Sequence, residues 1–174
     1  MGNIIMRKIL IIILAAAVFL GGGIAANAQV CPAEADYLAR AIASSYGDLF
    51  FGGKVGIAAV ALNMKESGLA DTLPGAVAAL FAEGEFSGLG KLAGEIDEEL
   101  YRICKDAVDA AVNGADPTGG ALHFHSFYER ARVDLQFDDT REEELAKKMR
   151  RELERLARES GGGNPMLIDN VGFY

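Results

Sequence analysis

The sequence predicts a single α+β domain, predominantly helical, behind a short leader. Three observations carry this. The chain has 174 residues, 51% of them hydrophobic, a length that suits one compact domain rather than two. Apolar residues recur at helical spacing in five separate segments. One stretch, Ala121 to Phe127, alternates as a short strand or extended segment would.

Met1 to Ala28 carries only Arg7 and Lys8 as charges, just before the unbroken apolar run Ile9 to Leu20. Three glycines follow, then Ala26-Asn27-Ala28. A basic start, an apolar run and an A-x-A site are the layout of a cleaved secretory signal. The run would span about 18 Å as a helix, short of the roughly 30 Å of a bilayer core. An uncleaved anchor, extended through the glycines to Ala26, is the alternative. A lipoprotein signal is rejected, because Ala28-Gln29-Val30 before Cys31 lacks the Leu and small residues it needs. The expectation is export across the cytoplasmic membrane, to the wall, periplasm or exterior, with 29–174 as the working domain and membrane contact through the leader alone.

The full chain has 17 basic and 25 acidic residues. Loss of Arg7 and Lys8 makes the remainder more acidic still. Such a surface lacks the basic footprint that nucleic acid or an anionic membrane requires. It leaves open a polymer recognised through hydroxyl and amide groups. Two cysteines, Cys31 and Cys104, permit one disulfide in an exported protein; one loop thiol and one buried thiol is the equal alternative.

The first helix is placed from Glu34 to about Tyr46, with Tyr37, Leu38, Ala41 and Ile42 on one side. Gly52-Gly53 is expected to break the chain before a second helix, Lys54 to Glu66. Its alanines and Gly56 suit the centre of a core, crossed closely by its neighbours. Asp71-Thr72-Leu73-Pro74 reads as a capped start with proline in the first turn, opening a third helix that ends near Glu83-Gly84. Glu85 to Gly94 reads as a glycine-rich loop. A fourth helix, Glu95 to about Asn113, turns Ile96, Leu100, Ile103, Ala107, Val108 and Ala111 inward and stops at Gly114. Asp116 to Gly120 is a turn cluster.

Segment 138–160 holds eight acidic and seven basic residues around a thin stripe of Leu145, Met149, Leu153 and Leu156. It reads as an exposed helix docked along one edge, with a Thr140–Glu143 capping box. Glu143–Lys147, Glu144–Lys148 and Glu154–Arg158 are its i, i+4 pairs. Gly161 to Gly163 ends it, and an apolar tail runs to Tyr174.

Two features bear on chemistry. His123 and His125 would share one strand face, so a metal could bridge them if a distant carboxylate joined; the sequence nominates none, and two imidazoles lining a groove is the plainer reading. Neither a metal nor a cofactor is expected. The second feature is a set of acids near loops: Asp48, Glu66, Glu83, Glu85 and Asp116. Glycosidic cleavage needs a protonated carboxyl in a partly apolar cleft. Glu85, between Gly84 and Phe86, is best placed.

The blocks Leu38-Ala39-Arg40-Ala41-Ile42 and Gly53-Lys54-Val55-x-Ile57-Ala58-Ala59-Val60-x-Leu62-Asn63 resemble the opening of the SleB/CwlJ-type cell-wall hydrolase domain, the family of spore cortex-lytic enzymes. The likeness continues at Gly84-Glu85-Phe86-Ser87, at Gly114-x-Asp116-Pro117-Thr118-Gly119-Gly120-Ala121-Leu122, at Ile168-x-Asn170 and at Phe173-Tyr174. It implies a lysozyme-like, lytic-transglycosylase-like domain acting on peptidoglycan glycan strands. In that family one glutamate near the end of the first helix protonates the glycosidic oxygen, and the sugar's own hydroxyl closes an anhydro ring. Substrate would lie against Asp116, Thr118, His123 and His125.

Four departures stand out. The position of the family acid is Ser45, which cannot donate a proton at neutral pH as a carboxyl can. Glu85 stands where the family often has Gln, and Val171 where it has His. Segment 138–160 is longer than the usual connection. Three readings follow: a glycosidase whose acid has moved to Glu85 or Asp48, a non-catalytic relative that binds glycan or a partner hydrolase, and a metal-dependent hydrolase using His123 and His125.

Overall fold

In a computed structural model, the structure describes residues 30–86, 96–127, 142–161 and 164–174. The predicted leader, most of the 85–94 loop and the Thr140 capping box lie outside them. Five helices and three short strands are described: α1 (Pro32–Tyr46), α2 (Phe51–Glu66), α3 (Leu73–Ala82), α4 (Glu98–Val112), β1 (Phe124–Ser126), α5 (Glu142–Ser160), β2 (Met166–Ile168) and β3 (Val171–Phe173). The domain is mainly helical with one small antiparallel sheet, in the order β1-β3-β2.

As predicted, α2 is the centre. It is buried nearly all round, from Gly53 to Leu62 and again at Met64, and packs on α1, α3, α4 and β2. Half of its residues are Ala, Val or Gly, which lets neighbours approach closely, while Lys54, Ile57, Leu62 and Met64 fill the space between them. Gly56 is the tightest point: a Cβ there would lie 2.5 Å from Cζ of Phe173, a ring with no exposed surface.

The predicted break at Gly52-Gly53 is not observed, because both glycines sit inside the first turn of α2. The reason is a cap from far along the chain. Phe50 has no side chain that can cap, but its amide donates to the Asp169 carboxylate at 2.5 Å, where a negative charge meets the positive end of the helix dipole. A Cβ on Gly53 would stand only 3.1 Å from that carboxylate. Asp169 and Asn170 have φ of 50° and 60° and form the two-residue turn between β2 and β3, a geometry that Asx residues tolerate. The tail therefore forms a hairpin and caps the core helix.

Glu34 organises the opposite end. Its carboxylate accepts from the Cys31 amide at 3.3 Å, the Leu73 amide at 3.2 Å and Lys65 Nζ at 2.9 Å. One side chain thus ties the starts of α1 and α3 to the end of α2. The Lys65 bond, aided by the two amides, outweighs burial and holds its carboxyl below the ordinary range.

Capping bears out one predicted start and corrects another. Thr72 accepts from the Gly75 amide, so α3 begins at Leu73. Asp97 accepts from the Leu100 amide, so α4 begins at Glu98 rather than Glu95. The inward seam of α4 is Cys104, Ala107, Val108 and Ala111, with Leu100 and Ile103 half-buried. Cys104 is buried and Cys31 exposed, and the two are not bonded.

Helix α5 docks by one face, as expected. Its buried row is Leu145, Met149, Leu153 and Ala157, so the last contact falls to Ala157 instead of Leu156, a uniform i, i+4 row. Leu145, Met149 and Leu153 cluster with Phe127, and Tyr174 packs against them. The Glu143–Lys147 and Glu144–Lys148 pairs form at 2.7 and 3.7 Å. The Glu154–Arg158 pair is replaced by Arg155, which bridges Glu152 and Glu159, each at 2.6 Å. Among the described residues, no helix is long and apolar enough to cross a membrane.

Candidate functional site

Four pieces of chain meet at one place: the end of α1, the loop after α3, strand β1 and the C-terminal tail. The sheet sets the register. Phe124 lies opposite Phe173 and His125 opposite Gly172, while the His123 amide donates to the Tyr174 carbonyl at 2.8 Å. Phe124 turns into the core. His123 and His125, on either side of it, turn the other way.

The loop after α3 reaches across to them. Gly84 has φ of 96° and Phe86 φ of 49°. For a bulky residue that left-handed backbone is strained. It is held by two partners. The Phe86 ring makes edge-on contacts with Tyr46 and Phe124, at centroid separations of 5.4 and 5.7 Å. Its amide donates to the Tyr46 hydroxyl at 3.1 Å. The kink between Gly84 and Phe86 carries Glu85 inward.

Glu85 is buried, at 8% exposure, and both its oxygens are engaged. Oε2 accepts the Tyr46 hydroxyl at 2.9 Å. Oε1 meets Nδ1 of His125 at 3.0 Å. Burial, followed by the negative charge of Glu85, pushes the Tyr46 phenol far above its ordinary value, so that hydroxyl stays a donor. Two residues away the pattern repeats, with Glu83 Oε2 3.2 Å from Nδ1 of His123. The Glu83-Gly84-Glu85 and His123-Phe124-His125 triplets therefore face one another as two carboxylate–imidazole pairs. His123 also stacks on Tyr174 at 5.7 Å. Burial first, then the charges of Glu85 and Glu83, raises the Tyr174 phenol.

A cleft of about 250 Å³ opens beside the second pair. Thr118, Gly120, Leu122, His123, Gly161 and Tyr174 are among the residues that line it. Asp116 shapes its wall. The Asp116 carboxylate accepts from the Thr118 amide at 2.8 Å, the Thr118 hydroxyl at 2.6 Å and the Gly120 amide at 2.7 Å. Asn63 on α2 adds a bond at 3.4 Å and also donates to the Ala121 carbonyl at 3.0 Å. Burial alone would raise the Asp116 carboxyl, but these bonds outweigh it and hold it below its usual range.

The predicted site residues thus divide. Glu85, His125 and His123 come together, with Glu83 added. Asp116 and Thr118 serve the turn that builds the cleft wall. Ser45 is half-buried in the last turn of α1, immediately before Tyr46, and Asp48 is exposed in the turn that follows. Asp48 takes no part in the hydrogen bonds around Glu85. Glu66 is exposed at the end of α2. Among the described residues, no three His, Cys, Asp or Glu side chains could hold one metal ion; each imidazole has a carboxylate partner instead. Sequence reasoning missed Tyr46 and Tyr174. For Tyr46 no local signal exists. For the two pairs there was one: two triplets with the same period-two spacing of complementary groups.

Fold and site together define a helix-rich domain whose small sheet presents two carboxylate–imidazole pairs beside a cleft. No family model matches the chain, and no curated protein does. Among solved structures, the chain is similar to the catalytic domain of the Bacillus cereus SleB protein, at 26% identity over 60% of this chain and 80% of that one, with a TM-score of 0.43.

Proposed function

We propose that this protein is exported by its first 28 residues and that residues 29–174 cleave glycosidic bonds in peptidoglycan glycan strands, with proton transfer organised by the Glu85 carboxyl. The observation that carries this reading is the burial of Glu85 among Phe86, Tyr46 and Phe124, at the point where the blocks resembling cell-wall hydrolases converge. A carboxyl in such a setting is what acid-assisted cleavage of an acetal needs. Ser45 cannot fill that role, and Asp48 stands in solvent. Peptidoglycan strands are the partner; another cell-wall enzyme is the second.

The test is soluble muropeptide release from isolated peptidoglycan, vegetative and spore-cortex, followed by mass spectrometry. Anhydro-ended fragments from the unaltered chain, lost in Glu85→Gln, are the expected result. A second reading has its own observation: both Glu85 oxygens are already bonded, and the position matching the family acid is Ser45. On that reading the protein binds strands without cutting them. Sacculus binding would then survive Glu85→Gln, and cutting would appear only in Ser45→Glu.

A further inference from the structure

Glu85 is the centre of the site but not its surface. Its side chain is 9% exposed, against 42% for His125. A saccharide arriving from solvent therefore meets the imidazole before the carboxylate. The ring is also oriented. Nδ1 is committed to Glu85 at 3.0 Å, and the Phe127 ring packs edge-on against the imidazole at 4.8 Å, 81° from its plane. Glu85 is itself held by Tyr46, whose hydroxyl is fixed by the Phe86 amide. The remaining ring nitrogen, Nε2, has no hydrogen-bond partner among the described residues. This is the arrangement in which a buried carboxylate fixes the tautomer and plane of an imidazole, leaving Nε2 to exchange protons.

We propose that His125 is the catalytic residue that transfers the proton, and that Glu85 and Tyr46 are positioning residues behind it. This rests on the reading that the site cleaves glycosidic bonds. The step balances within one group. The imidazolium gives its Nε2 proton to the glycosidic oxygen as the C1–O bond breaks, the electron pair going to that oxygen. The same sugar's own hydroxyl oxygen bonds to C1, and its proton passes to the Nε2 lone pair. The imidazolium is restored, with no net proton and no further reactant. The absence of a carboxyl at position 45 then ceases to be a defect, because proton donor and acceptor have moved to the strand.

The test measures muropeptide release by the purified full chain, with His125→Gly, His125→Asn and Glu85→Gln alongside, each with and without added imidazole. His125→Gly and His125→Asn should lose about a hundredfold or more in kcat with KM little changed. Asn retains an amide donor for Glu85 but carries no exchangeable acid. Imidazole should restore His125→Gly and not Glu85→Gln. An unaltered chain that releases nothing overturns both this inference and the cleavage reading. A fully active His125→Asn overturns the inference alone. So does loss without imidazole rescue in a His125→Gly variant that melts like the unaltered chain.

Discussion

Replacing Tyr46 with Phe removes one oxygen and keeps the ring, which isolates what that hydroxyl does. It donates to Glu85 at 2.9 Å and accepts from the Phe86 amide at 3.1 Å. The ring contacts to Phe86 and Phe124, at 5.4 and 5.6 Å, should survive. Two costs remain. A hydrogen bond to a charged group contributes about 1.5–3 kcal/mol. An amide left unpaired in a buried position costs about 1–3 kcal/mol, and Phe86 has no exposed surface. The two share one atom and will not add fully, so the expected loss is about 2–4 kcal/mol, a large share of a typical domain's stability. Thermal and urea unfolding of the full chain measure it; Tm should fall by roughly 4–16 °C. Because Phe86 holds a left-handed backbone, the loop carrying Glu85 should also exchange its amide protons faster. Tyr46→Phe in the Glu85→Gln background should cost less than in the unaltered chain, because the charged acceptor is already gone. A Tyr46→Phe chain that unfolds within about 0.5 kcal/mol of the parent would falsify the claim that this hydroxyl anchors the loop.

Three further outcomes follow from the packing and charge. Gly56→Ala should destabilise by about 1–3 kcal/mol in urea unfolding, despite Ala's helical preference, since its Cβ would lie 2.5 Å from the buried Phe173 ring; a neutral or stabilising result refutes the close crossing. The Glu34 carboxyl is lowered chiefly by its Lys65 hydrogen bond, from an ordinary 4.5. Its contribution to stability is thus fully present above that value and is lost as pH falls through the lower folded value. Glu34→Gln should accordingly flatten the stability profile below about pH 5, and an unchanged acid limb counts against it. Cys31 is exposed, whereas Cys104 is buried, its thiol pushed up to about 11 by burial. A thiol reagent should titrate one cysteine in the folded chain and two after unfolding; two fast thiols would contradict the packing of α4, and none the exposure of Cys31.

Much of the helical architecture was legible because it is written locally. Thr72, Pro74 and Gly114 are start and stop signals whose effect reaches a few residues, and the Ala-rich run of α2 states its burial directly. The same locality explains the failures. Gly52-Gly53 read as a break because its cap, Asp169, lies more than a hundred residues away. The tail hairpin carried a local sign, Asp169-Asn170 between apolar pairs, which the reading passed over.

The sequence by itself determined which segments are helical and which helix lies at the centre, and it brought Glu85, His123 and His125 forward among its candidates for chemistry. Tertiary structure alone decided that they stand together. Glu83 and Glu85 stand 40 residues from their imidazole partners, and their meeting depends on the pairing of β1 with β3 and on a strained kink at Phe86. Tyr46 fixes that kink with one hydroxyl. A periodic pattern reports which way a side chain faces. It does not report what stands opposite, because that is set by closing the chain over long separations, where the order of contacts follows from packing rather than from neighbours in sequence.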